Sequence, residues 1–185
     1  AVVNETLAEL ISTMEATQLH GYTSAQGDLG VRTAIAEYIE KTFGAQADPN
    51  LIYMTVGAAA SLTVTFNSLI TRGNNEEIIA FAPFFPEYRV FAEAAGASLK
   101  VVPCTEPDFQ IDFDKFLAAL NEKTRAVIIN SPNNPTGVVL GEKTIIRMCE
   151  ILKKAEEKYG NPIYIVADEP YRELVYGGVT VPYLP

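Results

Sequence analysis

The sequence predicts an α/β protein, a three-layer α/β/α arrangement whose central sheet is mostly parallel. Segments typical of strands alternate with segments of helical periodicity along most of the chain. The runs IIAF, AVIIN and IYIVA are apolar at successive positions. Strands of that kind are buried on both faces, which is typical of a parallel sheet between two layers of helices.

The first part of the chain is predicted to be mainly helical. Residues 1–18 carry apolar residues at helical spacing, a loop rich in small and polar residues covers 19–30, and a second amphipathic helix covers 28–43. A short strand, LIYMTV, follows Pro49 and ends at Gly57. A helix of small and apolar residues over 59–71 is expected after it.

Strands and helices then alternate regularly. They are the strand EEIIAFA before Pro83, the helix 86–96, the strand SLKVVPC, the helix 112–121, the strand RAVIINSP, the helix 141–159 and the strand PIYIVADE. In sheets of this type ligands bind beyond the carboxyl ends of the strands. The polar residues and glycines that follow the strands are therefore the candidates for a site.

Length and charge limit the classes of function. The 185 residues suit one domain, 1–185, with N-terminal helices and a loop in 1–45 and an α/β core in 46–185. A net charge of −9 argues against non-specific binding to nucleic acid or to an anionic membrane, and no apolar run is long enough to span a membrane. Two cysteines, Cys104 and Cys149, favour a reducing compartment, the cytoplasm. His20 is the single histidine, so no metal site is expected.

Two strand ends carry small or aromatic residues. At Gly57, followed by Ala58, Ala59 and Ala60, free N–H groups at a helix N-terminus are able to bind a phosphate. A tight strand-to-helix turn explains the same residues. Phe85 and its neighbour Phe84 leave the next strand, where one ring is able to stack on a flat ligand or simply pack in the core.

Two further strand ends carry polar groups. Asn133 and Asn134 lie in the string NNPTG, where an amide is able to donate to a ligand oxygen, although an Asx turn explains one of the two. Asp168 follows four apolar residues, so its carboxylate needs a cation or a donor as partner. A protonated ring nitrogen fits that requirement, and capping of a neighbouring helix is the alternative.

In this order the segments resemble the class I/II aminotransferases, which are fold-type I, pyridoxal-phosphate-dependent and similar to aspartate aminotransferase. NSPNNPTG and ADEPY are the most specific strings, and the resemblance covers nearly the whole chain. It rests on Tyr22, Gly27, 32–36, 55–58, 83–86, 130–137 and 168–171.

The resemblance implies a role for each residue. Asp168 would hold the pyridine nitrogen of pyridoxal 5'-phosphate, Asn134 and Tyr171 would donate to the ring oxygen, and Phe85 would stack on the ring. The turn at Gly57, with the backbone N–H groups of Ala58 and Ala59, would bind the phosphate. Tyr22 would reach the phosphate in the neighbouring subunit, which implies a homodimer.

The sequence also departs from the family. Alanines occupy the phosphate loop where members often carry Ser, Thr or Lys, so backbone donors are expected to dominate there. The Schiff-base lysine lies a few tens of residues beyond the aspartate in the family, but no lysine follows Asp168. We therefore interpret the chain as an incomplete large domain that is inactive by itself. Two strands of the family's sheet are missing, one of them between LIYMTV and the rest, so open edges are expected.

Three alternatives remain at this stage. A pyridoxal-phosphate-dependent lyase of the same fold would use the same cofactor residues. A nucleotide-binding module has little support, because neither GxGxxG nor GxxxxGK[ST] occurs. A non-catalytic interaction domain would explain the missing lysine, but it has no need of Asn134, Asp168 and Tyr171. The expected substrates are an amino acid and a 2-oxo acid.

Overall fold

The computed structural model describes residues 1–184. The chain forms two compact units, Ala1–Thr55 and a second unit that begins at Val56. The prediction of a single domain over 1–185 stays a prediction. Among residues 1–184, none of the helices has both the length and the apolar character needed to cross a membrane.

The first unit is helical. Helix α1 spans Val2–Thr13, α2 spans Ala16–Leu19 and α3 spans Leu29–Phe43. The predicted helix 1–18 is thus interrupted, because Met14 and Glu15 have extended backbone (ψ 141° and 143°). Helix α3 begins where Asp28 accepts a hydrogen bond from the Val31 N–H at 3.0 Å.

The prediction of a strand at LIYMTV is wrong. Pro49–Leu51 is a 3-10 turn, and Ile52 is extended (φ −89°, ψ 128°) without a strand partner. The N–H of Met54 donates instead to the carbonyl of Gln26 at 2.9 Å. A strand requires a neighbour that completes its hydrogen bonds, and no such neighbour lies beside this segment within the described residues.

The second unit is built on a parallel sheet. Its strands are β1 (Glu77–Ala82), β2 (Ser98–Pro103), β3 (Thr124–Asn130) and β4 (Tyr164–Asp168). Within residues 1–184 their order is β2-β1-β3-β4, and every neighbouring pair is parallel. The helices are α4 (Gly57–Leu69), α5 (Glu87–Ala95), α6 (Phe113–Ala119) and α7 (Glu142–Tyr159).

Helices cover both faces of this sheet. Ile78 and Ala80 of β1 belong to one apolar cluster, with residues of α4 and α5. Ile79 and Phe81 belong to the other, with residues of α6 and α7. The predicted three-layer α/β/α class is confirmed, because each inner strand sends alternate side chains into two separate cores.

Candidate functional site

The carboxyl ends of β1, β3 and β4 lie side by side, since these strands are neighbours and parallel. A cleft of about 240 Å³ opens beside them, next to the start of α4. It brings together residues that the sequence nominated from four separate segments. They are Ala58, Ala59, Phe85, Asn134, Asp168 and Tyr171.

Asp168 ends β4 and lines the cleft. Its Oδ2 accepts a hydrogen bond from the hydroxyl of Tyr88 at 2.5 Å. The alternative role, as a helix cap, is wrong, because within residues 1–184 this carboxylate accepts from a tyrosine hydroxyl and from no helix N–H. Burial, followed by the hydrogen bond and charge of Asp168, raises the pKa of Tyr88 far above its usual value. The hydroxyl therefore stays protonated and acts as a donor.

Asn130, the last residue of β3, links two of the nominated residues. Its Nδ2 donates to the backbone carbonyl of Asp168 at 2.7 Å, and its Oδ1 accepts from the N–H of Asn134 at 2.6 Å. The side chain is 7% exposed. A buried amide with both ends satisfied fixes the two strand ends against each other.

The two asparagines of NNPTG have different roles. The Oδ1 of Asn133 accepts from the N–H and the hydroxyl of Thr136, at 3.1 and 2.8 Å, so Asn133 forms the turn. The side chain of Asn134 lines the cleft. Its Nδ2 lies 3.5 Å from the hydroxyl of Tyr171, which is long for a hydrogen bond but shows that the two polar groups are neighbours.

Helix α4 begins at the cleft without a side-chain cap. Gly57 has φ +81°, a backbone conformation that glycine adopts without strain. Val56 occupies the N-cap position and makes no side-chain hydrogen bond to the helix. Small side chains at Ala58 and Ala59 leave the backbone of the first turn accessible from the cleft.

Phe85 and Phe84 separate in the structure. Phe85 lines the cleft and packs edge-on against Tyr88, with ring centroids 5.7 Å apart. Phe84 also contacts Tyr88, in a stacked arrangement with ring centroids 6.2 Å apart and an interplanar angle of 9°. Core packing thus describes Phe84, whereas Phe85 presents a ring to the cleft.

Tyr22 belongs to the first unit, where its side chain is fully exposed. Its role stays a prediction. In the same unit Arg32 is buried, and it donates to the carbonyls of Gly27 (3.3 Å) and Pro49 (2.6 Å). Gly27 and Arg32, two positions on which the family resemblance rests, are therefore joined by a hydrogen bond within the first unit.

Sequence reasoning missed the roles of Tyr88 and Asn130. In the sequence Asn130 is only one residue of the string NSPNNPTG, and the one signal for Tyr88 is its position three residues after Phe85, at the start of a helix. Tyr88 contacts the side chain of Asp168, 80 residues further along the chain, whereas Asn130 contacts backbone groups of Asp168 and Asn134, 38 and four residues further along. No local pattern indicates the first of these contacts.

Comparisons with known proteins agree on one family. The profile of "Aminotransferase class I and II" matches residues 2–183. The aspartate aminotransferase of Pyrococcus horikoshii is 33% identical over 156 residues, which are 84% of this chain and 38% of that protein. The probable N-succinyldiaminopimelate aminotransferase DapC of Mycobacterium tuberculosis is 33% identical over 159 residues, with the same two shares.

A solved structure agrees with these matches. The amino transferase from Eubacterium rectale has a TM-score of 0.95 and 50% identity, over 98% of this chain and 46% of that one. The present chain thus spans less than half the length of these relatives.

Proposed function

The chain belongs to the class I and II aminotransferases, and from this membership we propose that it binds pyridoxal 5'-phosphate. The whole protein would then move an amino group between an amino acid and a 2-oxo acid. One observation carries the proposal: a carboxylate, an amide, a phenol, an aromatic ring and the first turn of a helix surround one cleft.

The donor set of the cleft fits this cofactor. Asp168 offers a carboxylate to a cationic ring nitrogen, and such charge-assisted pairs are among the stronger hydrogen bonds. Asn134 and Tyr171 offer donors to the ring oxygen, and Phe85 offers a face for the ring. When bound, the cofactor supplies the electron sink, while these residues orient it and tune its charge.

The phosphate would lie at the start of α4. A helix N-terminus carries partial positive charge and unpaired N–H groups, which suits a dianion even in a chain of net charge −9. Because Ala58 and Ala59 have no polar side chains, the backbone supplies the donors. Anion binding here depends on the position of the helix more than on any one side chain.

None of the cleft residues within the described part of the chain is a lysine. Amino-group transfer requires a lysine amine that reacts with the cofactor aldehyde. The residues of this cleft would therefore hold the cofactor by non-covalent contacts alone.

The assembly and location are part of the proposal. Tyr22 is fully exposed, which is compatible with a contact to the phosphate of a second subunit in a homodimer. Cys104 and Cys149 are both free thiols, which suits the cytoplasm.

The test is an absorption spectrum of the purified chain after addition of pyridoxal 5'-phosphate and desalting. We expect a retained visible band, and no lysine adduct after treatment with borohydride. Asp168→Asn should weaken retention about tenfold or more, because it removes a charge-assisted hydrogen bond. Asp114→Asn removes the same charge on an exposed face of α6 and should leave retention unchanged.

Two results would count against the proposal. If the wild-type chain retains no cofactor, these residues do not form a binding site. If Asp168→Asn and wild type retain it equally, the carboxylate does not hold the ring.

A further inference from the structure

Tyr88 is held rigidly next to the cleft without lining it. The residue is 1% exposed, and its ring is stacked on that of Phe84 and edge-on to that of Phe85. The hydroxyl of Tyr88 donates to Oδ2 of Asp168 at 2.5 Å. A buried ring that packs against two other rings has little freedom to move, so the donor has a fixed position.

This contact leaves the two oxygens of Asp168 inequivalent. Tyr88 donates to Oδ2, while no protein group within residues 1–184 donates to Oδ1. Asp168 itself lines the cleft. The backbone of Asp168 is also fixed, since its carbonyl accepts from Asn130. Oδ1 is therefore the oxygen available to a ligand.

We propose that Tyr88 is a positioning residue, which holds Oδ2 of Asp168 so that Oδ1 faces the cofactor's ring nitrogen and the shared proton stays on that nitrogen. The inference rests on the proposed function, because it requires pyridoxal 5'-phosphate in the cleft. Its content is additional, since Tyr88 contacts the carboxylate and not the ligand.

The chemistry follows from the direction of the hydrogen bond. A donor on a carboxylate stabilises the ionised form and makes the other oxygen a weaker base. In a hydrogen bond between a ring nitrogen and Oδ1, a weaker carboxylate base leaves the proton on nitrogen. Loss of the Tyr88 hydroxyl would move the proton toward Oδ1 and free the carboxylate to rotate.

The decisive variant is Tyr88→Phe, which keeps the packed ring and removes only the hydroxyl. The probe is pyridoxal 5'-phosphate labelled with 15N at the ring nitrogen and bound to the purified chain. We expect the 15N signal to move from the protonated toward the unprotonated value. We also expect the cofactor to bind roughly three- to tenfold more weakly, the effect of one net hydrogen bond.

Tyr159→Phe is the matched control. Its hydroxyl donates to the carbonyl of Leu120 at 3.1 Å, between α7 and the segment that precedes β3, at the edge where the strands begin. The same atom is lost, but the cleft is not involved. The 15N signal of this variant should match wild type.

A second probe covers the case in which Tyr88→Phe fails to fold. Replacement of Tyr88 by 3-fluorotyrosine makes the hydroxyl a stronger donor in the same place. The 15N signal should then move further toward the protonated value. Opposite shifts for a stronger and a missing donor are not expected from a purely structural role.

The outcomes separate this inference from the proposed function. If wild type and Tyr88→Phe give the same 15N signal and affinity while Asp168→Asn loses both, the role of Tyr88 is wrong and the cofactor site stands. If the wild-type chain binds no cofactor, both are wrong. A shift in Tyr159→Phe equal to that in Tyr88→Phe would also overturn the inference.

Discussion

Replacing Asn130 by alanine tests whether one buried amide holds the cleft together. The substitution removes the hydrogen bonds to the N–H of Asn134 (2.6 Å) and to the carbonyl of Asp168 (2.7 Å). Each buried polar group left without a partner costs about 1–3 kcal/mol. Both partners are part-buried, so water replaces some of the loss, and about 2–4 kcal/mol of unfolding free energy is the expected total.

Equilibrium unfolding in urea measures this loss, as a lower midpoint with an unchanged slope. The control is Asn161→Ala. It deletes the same amide near the start of β4, where Nδ2 makes longer contacts to the carbonyls of Glu122 (3.2 Å) and Tyr159 (3.4 Å). A loss in Asn130→Ala below about 0.5 kcal/mol, the range of ordinary surface changes, would show that the amide does not fix the strand ends. If both variants lose the same unfolding free energy, the effect of Asn130→Ala is not specific to the residues of the cleft.

Three further changes test the fold and the titration. Glu76→Gln should lower the unfolding free energy by about 3 kcal/mol, because the buried carboxylate pairs with Arg125 at 2.6 and 3.1 Å. The control is Arg89→Gln, which breaks an exposed ion pair with Glu93 and should cost less than about 1 kcal/mol in the same urea assay. Gly57→Ala should cost about 1–2 kcal/mol through its φ of +81° alone, since a Cβ there contacts nothing; an unchanged urea midpoint would contradict this. The raised pKa of Tyr88 is a stabilising contribution that is complete below about pH 10 and falls by about 1.4 kcal/mol per pH unit above it. Unfolding curves at several alkaline pH values should therefore show the advantage of wild type over Tyr88→Phe shrinking as pH rises.

The core could be predicted because its signal is local. The strands β1 and β3 are apolar at successive positions, and burial on both faces is the one arrangement that satisfies such runs. The predicted C-terminal ends of two helices also lie close to the observed ends, because their signal is local as well. Gly96 and Gly160 end α5 and α7 in the left-handed conformation, as a glycine after an apolar pattern indicates.

The segment LIYMTV shows where local reasoning fails. Its β-branched and aromatic residues favour extended backbone, and Ile52 is extended. Hydrogen bonding along a strand is supplied by another part of the chain, which a local pattern does not contain. Local reasoning also missed the interruption of the first helix at Met14, because the helical spacing of apolar residues does not mark the break.

The candidate site divides in the same way. Asp168 and Asn134 were predictable as polar residues at or just after the ends of apolar strands, where parallel topology brings them together. Which asparagine forms the turn and which faces the cleft depends on Thr136, and the pattern left that open. The contact of Tyr88 with Asp168 depends on how α5 packs on the sheet, so three-dimensional structure was needed to find it.

The position of β4 explains why Asp168 has two such supports. Within the described residues β4 is an edge strand that pairs with β3 alone, and none of its residues is fully buried. A carboxylate at the end of an edge strand would be mobile if only the backbone held it. The side chain of Asn130 donates to the carbonyl of Asp168 and so joins it to β3, and the hydroxyl of Tyr88 joins the carboxylate of Asp168 to α5. Both supports come from buried elements and meet at one residue, so the rigid core extends to the group that would bind the ring nitrogen.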